Sequence, residues 1–139
     1  MEGNITDNFL AYSVRAPFLN TKGLSCLKSV SAEDVDYIDT KITDLRHNHE
    51  YQDYKIVNIK KAVHCVDFDQ SELILRESGN IKFIDKLVLN ERTLVDNKIL
   101  ICRIHEFLPL IVAHDSIKNE MEQSGVTGLS FMRPEKLSL

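Results

Sequence analysis

Asp67, Asp69 and Ser71 stand at alternate positions directly after Val63-His64-Cys65-Val66. Two carboxylates so spaced at a strand end could share a Mg²⁺ ion, one attacking phosphorus and the other moving the proton. That chemistry is a small Mg²⁺-dependent phosphatase using Asp67 and Asp69. The plainer reading is an Asx-type turn, because Asp and Ser side chains bond the backbone of their own neighbours. A phosphatase of that plan would need an alternating strand–helix pattern downstream, and Glu72–Leu139 does not show one. An EF-hand is excluded, since Glu72 occupies the position where that loop requires Gly.

The remaining reactive residue types are scattered. His47 and His49 lie in a polar stretch without carboxylate or Cys partners at ligand spacing. Cys102-x-x-His105 and the adjacent His64-Cys65 each place their two side chains on opposite faces of a strand. A Cys/His pair could therefore form only across the fold. Cys26, Cys65 and Cys102 are an odd number without close pairing, as expected of free thiols in a reducing compartment that act as small apolar residues. Gly125-x-x-Gly128 follows a helix, whereas phosphates are held at a helix N-terminus. No catalytic residue, metal ligand or cofactor site is assigned on these grounds.

Acidic residues are the stronger signal. Glu33, Asp34, Asp36, Asp39 and Asp44 crowd one stretch in which Lys41 is the only base, and Asp67, Asp69 and Glu72 form a second group. Such groups could steer a basic protein partner, with Tyr37 and Tyr51 as aromatic anchors. They could equally be solvated carboxylates that keep an edge strand from pairing. The formal net charge of -4 and pI of about 5.7 argue against nucleic-acid binding by phosphate neutralisation. No stretch approaches the length of a membrane span and the N-terminus lacks a signal-peptide core, so a cytoplasmic protein is expected.

These residues must be positioned by short elements. With 43% hydrophobic and 27% charged residues over 139 positions, the composition predicts one soluble domain over 1–139. Residues 1–15 are an N-terminal arm or a short strand. Asn20-Thr21 starts a helix through Val30, with Leu24 and Leu27 on its inner face. Ser31–Thr43 alternates like an edge strand, Asp44–Asp53 reads as a loop, and Tyr54–Val66 is a strand bent at Lys60-Lys61. A hairpin joins Glu72–Arg76 to Ile81–Ile84 through a Gly-containing loop. Asn90–Leu94 makes one helical turn, and Lys98–Ile104 is a central strand. Leu110–Ala113 is a strand, and Asp115 or Ser116 caps a helix that buries Ile117 and Met121 and stops at Gly125. Val126–Met132 returns as a strand ended by Pro134. The fold class expected is α+β, with a mostly antiparallel sheet and two or three short flanking helices.

The order of these pieces resembles an immunity-protein family of bacterial polymorphic-toxin systems, of the contact-dependent or type VI secretion kind, long catalogued as a domain of unknown function. The matching pieces are Tyr54-Lys55-Ile56-Val57-Asn58, the acidic turn from Cys65 to Glu72, Ile111–Ser116, and the close from Gly125 to Phe131. The likeness runs from about Ala16 to Met132. It departs at Ala113-His114, where the family often has Tyr followed by Ser, and in an N-terminal portion shorter than usual. The resemblance implies an antitoxin: a protein without catalysis or cofactor that binds a cognate toxin or effector and occludes its active or functional surface. The toxin is expected to be basic, a nuclease or another enzyme. The contact residues expected are Glu33, Asp34, Asp36, Tyr37, Asp39, Asp44, Tyr51, Asp67, Asp69 and Glu72. A non-catalytic adaptor subunit of the same fold is the other alternative.

Overall fold

The computed structural model describes residues 9–11 (as backbone), 16–30 and 34–139. It is an α+β protein of short helices and small, mainly antiparallel sheets. The described residues gather into two compact units. One takes residues up to Lys60 together with Asp115–Leu129, and the other takes Lys61–His114 with Ser130–Leu139.

In the first unit, four strands run in the order β1-β2-β6-β3. These are β1 (Phe9–Ala11), β2 (Ala16–Leu19), β6 (Lys55–Ile59) and β3 (Val35–Asp39), and every pairing is antiparallel. β3 therefore sits at an edge, as its two-sided polarity predicted. The N-terminal reading survives in β1 alone, and the rest of residues 1–15 lies outside the described residues. Helix α1 (Thr21–Ser29) begins where Asn20 Oδ1 accepts the Gly23 N–H at 3.0 Å. This satisfies one of the donors a helix start leaves bare. α1 buries Leu24, Cys26 and Leu27, and α3 (Asp115–Gln123) buries Ile117 and Met121. The two helices meet where the Cys26 thiol donates to the Glu120 carbonyl at 3.7 Å. With Leu19, Tyr54, Val57 and Ile59 these side chains form the buried interior of the unit.

Three expectations need correction here. Asp44–Asp53 is not a loop throughout: β4 (Ile42–Asp44) and β5 (His49–Tyr51) form a hairpin closed by a turn with Asn48 at φ 48°. Neither strand alternates in hydrophobicity, because both faces are largely solvated, so the usual strand signal is missing. α3 starts at Asp115, which makes Asp115 its first residue and not its cap. Val126–Met132 forms no strand. Gly128 sits at φ 85°, and a left-handed residue turns the chain away from an extended path. Pro134 then opens a short 3₁₀ helix, Pro134–Lys136.

In the second unit, β10 (Ile101–Ile104) is central in the order β11-β10-β7. It runs antiparallel to β11 (Phe107–Ala113) and parallel to the two-residue β7 (Ala62–Val63). The bend read at Lys60-Lys61 is the break between β6 and β7. A separate hairpin pairs β8 (Glu72–Leu75) with β9 (Ile81–Lys86) around Gly79 at φ 89°. Helix α2 is Glu91–Asp96. Cys65, Ile81, Ile84, Leu87, Leu89 and Ile104 make the core. Leu139 crosses the far side of β9, exchanging N–H and carbonyl bonds with Ile84 at 2.9 Å each.

Candidate functional site

The first acidic group is less bare in space than in sequence. Glu33 lies outside the described residues. Asp34 precedes β3 at φ 56°, its carbonyl accepting the Lys60 N–H at 2.9 Å. Asp36 faces Asn58 across the ladder, and its carboxylate is 3.2 Å from Lys60 Nζ. Asp39 faces Lys55 and accepts a 2.7 Å hydrogen bond from its ammonium. That bond, with the Lys55 charge behind it, holds the Asp39 carboxyl below the usual carboxylate range. Tyr37 is half-buried opposite Val57 with Lys28 Nζ 5.1 Å from its ring centroid, and burial pushes its phenol up.

Asp44 ends β4 and organises the turn that follows. Its Oδ1 accepts the Arg46 N–H at 3.0 Å, and its Oδ2 lies 2.7 Å from His47 Nδ1. The His47 hydrogen bond is the main reason its carboxyl is held low. Tyr51 on β5 meets His49 edge-on with centroids 4.5 Å apart and Tyr54 at 6.4 Å. The same unit carries two exposed apolar side chains without a signal in the sequence. Ile38 on the β3 edge is 47% exposed, and Leu45 in the β4–β5 turn is 89% exposed. The Lys41–Glu50 ion pair, 3.0 Å, spans the same hairpin. β3 and the β4–β5 hairpin thus carry exposed apolar side chains, and the β3 carboxylates Asp39 and Asp36 are already paired to Lys55 and Lys60. Their pairing partners lie far along the chain, which is why Lys41 alone looked relevant.

Asp67, Asp69 and Glu72 belong to the second unit. Asp67 Oδ1 accepts the N–H groups of Asp69 and Gln70 at 3.1 and 3.2 Å, while Oδ2 accepts the Gln70 amide at 3.0 Å. Both carboxylate oxygens are thus engaged within the turn. Ser71 Oγ bridges to Val88, accepting its N–H at 2.9 Å and donating to its carbonyl at 3.1 Å. This is the turn-capping geometry. It ties the acidic turn to the segment after β9.

The fold brings together two pairs that the sequence keeps apart. The His64 and His105 rings stack with centroids 3.8 Å apart and a 31° tilt. His64 Nδ1 is 3.7 Å from Glu106 Oε1, too long for a hydrogen bond. Glu106 Oε2 accepts the Val66 N–H at 3.1 Å, and Oε1 is buried without a hydrogen-bond partner. Cys65 and Cys102 are buried neighbours. Hydrogen bonding between the thiols raises Cys65, which burial raises further, and lowers Cys102. Within each residue pair the expected divergence holds: Cys102 is buried and His105 exposed, Cys65 buried and His64 exposed. Glu106 carried no sequence signal, since only the parallel β7–β10 pairing draws it to Val66. Among the described residues, no group of three or more His, Cys, Asp or Glu is placed to hold a metal ion. No helix among them is long and apolar enough to cross a membrane. Neither the models of known protein families nor the curated proteins match this sequence.

Proposed function

We propose that this protein is an antitoxin of the immunity-protein kind, which binds a cognate bacterial toxin and occludes its functional surface. The contact surface is the edge of β3 with the β4–β5 hairpin. One observation carries the reading. Ile38 on β3 and Leu45 in the β4–β5 turn are exposed apolar side chains, and Asp36 and Asp39 on β3 and Glu50 on β5 are already ion-paired. Protein interfaces use both kinds of group, apolar anchors at the centre and polar groups at the rim. A few such anchors carry most of the binding energy. Paired rim charges contribute little to raw affinity but orient the partner, and a net charge of -4 favours a basic one. The order of motifs described above supports the same reading. It makes the second acidic group, tied into its own turn, a structural feature first and a contact second.

The test is co-expression with a toxin encoded beside the gene. Growth rescue and co-purification of the two proteins are expected. An Ile38→Asp/Leu45→Asp variant should keep its fold by circular dichroism and lose affinity by about 10-fold or more, the effect of removing an interface anchor. Rescue by that variant at wild-type level would refute the surface. Failure of the wild-type protein to bind or rescue would refute the function.

A further inference from the structure

We infer that β8 is a self-pairing edge, through which two copies of this chain join antiparallel about Ile74. The inference does not depend on toxin binding and uses the other compact unit. β8 has one neighbour, β9, and the backbone groups of Glu72–Leu75 on its other side meet no partner among the described residues. Edge strands are normally blunted by Lys, Pro or a bulge. β8 contains neither residue, and both register shifts of the hairpin place the extra residue, Lys82 or Asp85, on β9. β8 is left as an uninterrupted extended strand.

Its sequence decides the occupant. Glu72-Leu73-Ile74-Leu75-Arg76 is self-complementary about its centre. A two-fold axis at Ile74 sets Glu72 of each copy against Arg76 of the other, Leu73 against Leu75, and Ile74 against Ile74. Glu72 and Arg76 are exposed and have no ion pair among the described residues, so both are available for this cross-pairing. Parallel pairing would oppose Glu72 to Glu72, and a one-residue slip would turn the apolar side chains to the wrong face. The Arg76 N–H points inward to the Asn80 carbonyl at 2.7 Å, so by alternation Leu73 and Leu75 present their backbone groups outward. Leu73–Leu75 then becomes the hydrogen-bonded pair and Ile74–Ile74 the closer, non-hydrogen-bonded one. Ile74 is 52% exposed and faces Phe83, 48% exposed, across the hairpin. Joining two hairpins lines up Phe83, Ile74, Ile74 and Phe83 as one apolar row across a four-stranded sheet, with a Glu72–Arg76 pair on either side of it along the two central strands.

Sedimentation equilibrium of the full-length protein, without toxin, tests this. A monomer–dimer equilibrium is expected. Glu72→Arg and Arg76→Glu should each weaken dimerisation at least ~10-fold, because each sets like charges directly opposite at both ends of the pairing. The double variant E72R/R76E should return to within about threefold of wild type, since opposite charges again face each other. Both positions are exposed, and the rescue separates pairing from misfolding. A protein that stays monomeric up to millimolar concentration overturns the inference. So does a dimer indifferent to the single reversals, or a double variant that fails to recover.

Discussion

Replacing Gly125 with Ala isolates one backbone term. Gly125 ends α3 at φ 72°. The Val126 N–H reaches the Met121 carbonyl at 2.9 Å and the Gly125 N–H reaches Glu122 at 3.2 Å, the pair of bonds by which a left-handed residue closes a helix. A β-carbon there would meet only Lys22 Nζ at 3.9 Å, an ordinary contact, so packing contributes nothing to the change. The left-handed conformation costs an L-residue roughly 1–2 kcal/mol. Ala also loses less freedom on folding than Gly, which returns about 0.4–1 kcal/mol. The net expectation is a loss of about 0.5–1 kcal/mol. With a urea slope of ~2 kcal/mol/M, the midpoint should fall by about 0.3–0.5 M at unchanged slope. Gly125→Asn should recover part of it, because Asn tolerates the left-handed region. An Ala variant as stable as wild type would mean that this conformation is not held. A loss above roughly 3 kcal/mol would mean that the site is sterically closed, contrary to the open space around it.

Other outcomes follow from single contacts. Ile104→Ala removes a fully buried side chain from the second unit's core and should cost about 2–5 kcal/mol, read by denaturant unfolding. Asn20→Ala should cost about 1 kcal/mol through loss of the α1 cap, and Asn20→Asp should keep most of it. Carbon-detected NMR titration should place the Asp39 and Asp44 carboxyls below ordinary aspartate. Because their folded values are depressed, the stability they confer is fully present above the unfolded value of ~3.9 and is lost as pH falls through the folded value. Cys26, Cys65 and Cys102 are all buried, so iodoacetamide should label them slowly in the native protein and quickly in urea. Rapid native labelling of Cys65 or Cys102 would contradict their placement.

Legibility tracked the range of the forces involved. The Asn20 cap, the Ile117/Met121 stripe, the Gly125 stop, the Asp67–Ser71 turn and the Gly79 hairpin were all readable. Each depends on residues within about one turn of chain, where side-chain hydrogen bonds and left-handed φ leave residue-type signatures. The β4–β5 hairpin was missed because its strands have no buried face to impose alternation. Val126–Met132 was misread because its apolar residues suggested a strand, whereas the left-handed Gly128 at φ 85° bends the segment out of an extended path. The sites divide in the same way. Local sequence predicted that β3 would be an acidic edge and that Asp67 would cap its own turn. Only tertiary structure decided that Lys55 and Lys60 neutralise Asp39 and Asp36, and that Cys65 meets Cys102 and His64 meets His105. Those contacts join positions tens of residues apart, and strand pairing, set by burial over the whole chain, determines which side chains meet.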